Sequence, residues 1–261
     1  MKRSASRVLS ALLSLMVFSS GCSIKEERDV CPCRLFLDLT SVDILDNSPV
    51  LLYIMSDDGV EREMVLDHDN FQDTCMLIVP RKELDVVLWR GADGYVDGTG
   101  LTIPLGEDSP PVYIHSASLL AEGEAVYETV TLQKNYCVLG VDFVERDKVQ
   151  GLALRGNVAG FDMHGRPSDG EFFVCASVDS PVVSHNVFYV PRQVGNSLFL
   201  DVTEPDGKVK TFPIHEYIAE FGYDWTEKDL NDMNMILEYT PVGVSITIRD
   251  WSQEIVINVV I

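Results

Sequence analysis

The chain of 261 residues contains the residue types that carry out catalysis and metal binding, but not the spacings of the known catalytic and metal-binding motifs. No HExxH, GxSxG, phosphate-binding loop or strand-linked GxGxxG occurs. No two histidines are four residues apart, so no helix turn presents a ligand pair. The 41 acidic residues are too numerous to single out a catalytic pair. We therefore predict no enzymatic activity, no metal and no cofactor. The scattered histidines are His68, His115, His164, His185 and His215. Metal ligation by histidines from separate strands is the alternative to structural histidines.

The cysteines are typical of an exported chain. Six are present, and five of them follow Cys22, so at least one of those five is free or pairs between chains. Cys31–Pro32–Cys33 lacks the CxxC spacing of redox and zinc motifs. We expect a disulfide from Cys31 or Cys33 to Cys75, and the alternative is free thiols.

The N-terminus has the order of residues found in secretory leaders. Three basic residues stand among the first seven, an apolar run covers 8–18, and Ser19–Ser20–Gly21 precedes Cys22. The apolar run is too short to span a bilayer, so residues 1–21 are predicted to be a lipoprotein signal peptide. Cys22 then becomes the lipidated first residue. The alternative is an ordinary secreted protein cleaved near Cys22.

The net charge limits the partners. It is −21 for the whole chain and −24 without the three basic residues of the leader. Such an acidic surface repels nucleic acid and anionic lipid headgroups, so neither is expected to bind. The apolar fraction of 46% is that of a folded protein.

Short alternating or apolar runs ended by turn residues follow a charged tether over 22–33. Such runs predict strands, and Asp206–Gly207 predicts a hairpin. The pattern restarts near residue 133, where 137–142 repeats the Cys, Leu and Asp spacing of 33–38. We predict an all-β protein with two tandem β-sandwiches, over 34–133 and 134–261. One short helical segment is expected within 214–233.

The chain closes on a segment that is apolar on both faces. Such a strand is either central in its own sheet or, at an edge, recruits another chain. Both alternatives stay open, and the second makes the segment a candidate contact between subunits. Its residues are Ile255, Val256, Ile257, Asn258, Val259, Val260 and Ile261.

Aromatic residues suggest one other binding function. Trp89, Tyr223, Trp225 and Trp251 could form a platform for sugar rings, which would make the protein a glycan-binding lipoprotein. In a β-sandwich such residues more often belong to the core or to the joint between domains.

Taken together, these residues resemble the FimB-like anchor subunits of type V fimbriae from Gram-negative gut and oral bacteria. The resemblance covers Cys31–Pro32 leading into RLFLDL, the segment VTLQKNYCVLGVDF, and the closing portion from FGYDW onward. In that portion the family pattern has a tryptophan before an acidic residue and a leucine, followed by two strands separated by a tryptophan. Trp225, Leu230 and Trp251 occupy these positions. The segment Lys25–Glu26–Glu27 resembles the tag that directs lipoproteins of these bacteria to the outer face of the outer membrane.

The resemblance implies two transthyretin-like β-sandwiches and a non-enzymatic role. The expected function is to anchor and terminate a fimbrium, with fimbrial shaft subunits as partners and the outer membrane bound through the lipid on Cys22. Stalk subunits are activated by cleavage after an arginine. Here Arg28 and Arg34 precede the first strand without a long cleavable segment, which favours an anchor. An accessory or tip subunit is the alternative.

Overall fold

The structure is built almost entirely of β-strands, which confirms the predicted all-β class. It is a computed structural model that describes residues 31–43, 48–144, 149–177, 185–195, 197–240, 243–249 and 254–260. The leader, Cys22, the segment 25–27, Trp251 and Ile261 lie outside these residues, and the predictions made for them stay predictions.

The described residues form nineteen strands and one helix. The strands are β1 Cys33–Asp38, β2 Val50–Ser56, β3 Gly59–Leu66, β4 Thr74–Val79, β5 Glu83–Arg90, β6 Val96–Asp97, β7 Gly100–Thr102, β8 Tyr113–Leu120, β9 Ala125–Thr129, β10 Gln133–Lys134, β11 Tyr136–Phe143, β12 Gly151–Asp162, β13 Pro167–Ser177, β14 His185–Pro191, β15 Phe199–Thr203, β16 Val209–Phe212, β17 Met233–Thr240, β18 Gly243–Arg249 and β19 Glu254–Val260.

The helix, α1, spans Ile214–Glu220 and lies within the predicted segment. Pro213 precedes it at a φ of −77°, which suits a helix start. Ile214, Tyr217 and Ile218 are buried at the spacing of one helix face.

Four sheets account for the strands. In the first half, a three-stranded sheet in the order β4-β1-β9 faces a five-stranded sheet in the order β10-β8-β5-β2-β3. In the second half, one sheet has the order β14-β11-β17-β18-β19. The other has the order β16-β15-β12-β7-β6, with β13 also paired to β12.

The repeat found in the sequence corresponds to two strands with the same kind of neighbours. Strand β1 pairs antiparallel with β4 and parallel with β9. Strand β11 pairs antiparallel with β14 and parallel with β17. Cys33 and Cys137 are both fully buried at these strands' starts. The shared residues therefore mark equivalent places in the two halves.

The smaller of two hydrophobic cores lies between the two sheets of the first half. Alternation along β1 buries Leu35 and Leu37 while Arg34 and Phe36 face outward. These leucines belong to one buried cluster with residues of β2 and β5, among them Ile54.

The five-stranded sheet of the first half is covered on both faces. Along β5, Val86 and Leu88 enter the smaller core, whereas Val87 and Trp89 enter the larger core of the second half. Trp89 is fully buried and meets Phe161 of β12 edge to face, at 6.3 Å between ring centroids. The two halves are therefore joined by hydrophobic packing rather than by a linker alone.

One hairpin crosses the predicted boundary between domains. Strands β6 and β7 come from the first half of the chain, but β7 pairs with β12 in the second half. The division at residue 133 stays a prediction. Apart from this hairpin and Lys134 of β10, which pairs with β8, each sheet takes its strands from one side of it.

The five cysteines among the described residues carry free thiols, so the disulfide expected from Cys31 or Cys33 to Cys75 is not formed in the structure. The register explains why, because Cys33 faces Val79 whereas Cys75 faces Leu37. Four residues of strand separate the two sites, about 13 Å at the usual rise of a strand. A disulfide needs Cα atoms within about 7 Å.

Gly100 makes the crossing hairpin possible, which gives a first prediction. It has a φ of +132°, and a Cβ there would lie 2.2 Å from the carbonyl oxygen of Phe161. We expect Gly100→Ala to lower the free energy of unfolding by at least about 2 kcal/mol, because positive φ and a backbone clash both oppose the side chain. Thermal unfolding measures the loss.

Gly98→Ala is the matched control, since no atom lies within 4 Å of the Cβ position at Gly98. It should unfold within a degree or two of the parent chain. Equal melting temperatures for the two variants would show that the hairpin does not need Gly100.

Candidate functional site

The predicted contact segment forms most of β19, the last strand of its sheet. It pairs antiparallel with β18, with Ile257 opposite Ile246 and Ile255 opposite Ile248. No other strand among the described residues pairs with its outer side. The segment therefore lies at an edge of its sheet, and the alternative of a central strand is wrong. It nevertheless belongs to its own sandwich.

The two faces of β19 have different surroundings. Ile255, Ile257 and Val259 are half-buried and pack against the larger core. Val256 and Asn258 point to the other face, where Val256 is 58% exposed. Strand β19 is thus held by three apolar side chains, while no strand of the described residues covers its outer backbone edge.

Soluble proteins usually protect an open edge with charges, proline or a short strand. Strand β3, another edge, carries Glu61, Arg62 and Glu63. Strand β16 is only four residues long and includes Lys210. Strand β19 is seven residues long, and its one charge is Glu254 at its start. Its outer edge is suited to pairing with another strand.

A half-buried arginine, Arg192, organises the loop before β17. Arg192 donates from Nε to Oδ1 of Asn135 at 2.8 Å, and its terminal nitrogens donate to the carbonyl oxygens of Glu227 at 2.7 Å and Lys228 at 3.0 Å. It also contacts the carbonyl oxygen of Trp225. A single side chain therefore satisfies several carbonyls that have no strand partner.

A polar cleft of about 360 Å³ lies where the loop after β9 meets the 228–229 loop. His115 and Glu128 line it, with 3.4 Å between Nε2 and Oε1. Nδ1 of His115 lies 3.2 Å from the backbone nitrogen and 3.3 Å from the carbonyl oxygen of Thr131. Burial lowers the pKa of His115, so the imidazole is neutral near pH 7. None of the lining residues is Trp, Tyr or Phe.

The aromatic residues singled out from the sequence do not form one exposed platform. Trp89 is fully buried. Tyr223 and Trp225 do meet, edge to face at 4.9 Å, but both pack partly against the larger core. Trp251 lies outside the described residues.

Sequence reasoning missed Arg192 and the position of β19 at an edge. The sequence around Arg192 resembles that of any exposed turn, and its partners lie 33 to 58 positions away. In the described part of the chain, no cluster of three metal-ligating side chains occurs and no helix has the length and apolarity to cross a membrane.

No family model and no curated protein sequence matches this chain. Solved structures do. The fimbrial anchor protein Mfa2 from Porphyromonas gingivalis superposes with a TM-score of 0.62 at 11% identity, covering 85% of this chain and 98% of that one. The chain shares the fold of a fimbrial anchor protein. The resemblance inferred from the sequence is thereby confirmed at the level of the fold.

Two further structures have the same fold. A candidate polysaccharide-binding protein from Bacteroides thetaiotaomicron has a TM-score of 0.62 at 12% identity, covering 87% of this chain and 98% of that one. A candidate adhesin from Bacteroides ovatus has a TM-score of 0.61 at 11% identity, covering 90% and 98%.

Replacing Arg192 tests its role in the loop. Arg192→Lys keeps the charge but cannot reach the separate carbonyls, so we expect a loss of about 2 kcal/mol in the free energy of unfolding. Urea unfolding measures it. Arg166→Lys is the control, because Arg166 is 71% exposed and forms only a surface ion pair with Asp162. Equal losses in both variants would contradict the role given to Arg192.

Proposed function

We propose that this protein is a non-enzymatic lipoprotein of the outer-membrane surface that anchors and terminates a fimbrium. Cys22 carries the lipid, and the outer edge of β19 contacts the fimbrial shaft subunits. The observation that carries this proposal is the nearly uncharged outer edge of β19, which no described strand covers. The fold shared with a fimbrial anchor protein supports it.

Strand addition accounts for how β19 would bind a shaft subunit. The outer N–H and C=O groups of an edge strand can form a ladder with an extended segment of another chain. The exposed side chain of Val256 would then contact a neighbouring side chain of the added strand. Binding needs no rearrangement of Ile255, Ile257 and Val259, which stay packed on the core.

The packing between the two halves suits a protein under tension. The proposed lipid is attached before β1, whereas β19 is the last strand. A force applied between the lipid and β19 is transmitted through the packing between the two halves, where Trp89 and Val87 lie in the same core as Phe161. Opening this joint would expose large apolar surfaces to water, which opposes separation.

Placing a charge on the proposed edge tests the contact with shaft subunits. We expect Val256→Lys to reduce the fimbriae retained on cells at least about tenfold, since a charge facing an added strand easily costs the 1.4 kcal/mol that a tenfold change requires. Retention is measured by comparing fimbriae on cells with fimbriae in the medium.

Val209→Lys is a matched control. Val209 lies on the edge strand β16 and is 58% exposed, as Val256 is. Both variants should melt near the parent temperature. Full retention with Val256→Lys, or equal loss with both variants, would show that the shaft does not bind at β19.

Removing the lipid site tests anchoring itself. Cys22→Ser should release both this protein and the attached fimbriae into the medium, because residue 22 then carries no lipid to hold them at the membrane. An accessory or tip subunit would leave the fimbriae on the cell. Fimbriae that stay attached to cells expressing Cys22→Ser would therefore argue against an anchor.

A further inference from the structure

The outer face of the three-stranded sheet exposes a row of apolar side chains. We call Phe36, Met76, Ile78 and Tyr127 the tether-side patch. Tyr127 is 72% exposed, Met76 51% and Ile78 50%. The rings of Phe36 and Tyr127 stack with their centroids 5.0 Å apart. Alternation turns Leu35 and Leu37 of the same sheet into the core, so the patch is not part of it.

The outer face of the three-stranded sheet is apolar only at the end that holds the patch. Register places Ile78, Arg34 and Ala125 in the row nearest the start of β1, followed by the row of Met76, Phe36 and Tyr127.

The next row has a different character. It consists of Thr74, Asp38 and Thr129, all polar. Arg34 is thus the one charged residue in the two rows that hold the patch, and the first acidic side chain of this face lies in the third row.

The apolar end of the face is the end where the tether joins the fold. Cys33 begins β1 eleven positions after Cys22, and Arg34 is already in the first row. A segment of that length spans at most about 40 Å when fully extended, and a flexible one averages about 20 Å. A lipid on Cys22 would hold the patch next to the membrane at a high effective concentration.

We propose that the tether-side patch docks on the headgroup region of a zwitterionic lipid bilayer. The proposal rests on the proposed attachment of the N-terminus to a membrane. Aromatic and aliphatic side chains with a single cation form the composition that favours the membrane interface, with Arg34 beside a lipid phosphate. The polar third row then faces water.

The charge of the chain selects the kind of lipid. Without the leader the net charge is −24, and Glu124 directly precedes the first row on β9. Anionic headgroups would be repelled over a Debye length. A zwitterionic surface offers phosphate to Arg34 without a net negative potential.

The experiment holds the chain on vesicles without using Cys22. Residues 23–261 with an N-terminal hexahistidine tag are tethered to phosphatidylcholine vesicles through a nickel-chelating lipid, and acyl-brominated phosphatidylcholine serves as the quencher. Tyr127→Trp places a fluorophore in the patch, and Val209→Trp places one at an exposed position of β16. The parent chain contains Trp89, Trp225 and Trp251, so its quenching is subtracted from that of each variant. We then expect Tyr127→Trp to be quenched at least twice as strongly as Val209→Trp.

A second pair of variants tests the patch itself. Adding Phe36→Ser and Ile78→Ser to the Tyr127→Trp chain should reduce quenching to the level of Val209→Trp, with unchanged circular dichroism. Anionic phosphatidylglycerol should reduce the quenching of the Tyr127→Trp chain. Equal quenching of the two tryptophan variants would overturn the proposal. A dimer in sedimentation that disappears with Phe36→Ser and Ile78→Ser would also overturn it, in favour of a second copy.

The outcome is separate from that of the proposed anchoring. Absent quenching together with release of the Cys22→Ser protein from cells would refute docking and leave the anchor intact. Strong quenching together with Cys22→Ser protein that stays on cells would support the patch and refute lipid attachment at Cys22.

Discussion

The five-stranded sheet of the first half, covered on both faces, is the constraint on which the rest of the structure depends. Along β5, successive side chains alternate between two cores, with Val86 and Leu88 on one side and Val87 and Trp89 on the other. Neither core is complete without this sheet. The two halves therefore differ from independently folding domains on a linker, because part of the surface of one forms part of the interior of the other.

This arrangement leaves the outer edges and outer faces of the sandwich for binding. The edge of β19 lies in the second half, whereas the tether-side patch lies in the first, beside the start of β1. Each surface has a feature that monomeric soluble proteins usually avoid, a long strand edge nearly free of charge in one case and clustered exposed apolar side chains in the other. Both features would serve the proposed position between a membrane and a fimbrium.

Much of the fold could be predicted from local pattern. The alternation in 33–38 and 244–248 specified strands and their buried faces, because side chains along a strand point alternately to opposite sides. The short helix and the repeat at 137–142 were also predicted correctly. Predictions of which distant segments of the chain lie close together were less accurate. The disulfide to Cys75 is the clearest case, since the relative register of β1 and β4 separates residues that composition suggested as partners.

The sequence by itself therefore determined the all-β class, the second sandwich-like half, the absence of known catalytic motifs and the apolar character of the last segment. Only the tertiary structure decided that β19 is an edge strand, that Trp89 is buried and that Phe36 and Tyr127 share an exposed face. The physical reason is the range of the interactions involved. Periodicity records which side of a strand faces away from water, whereas a strand's neighbours depend on pairing between residues far apart in the chain.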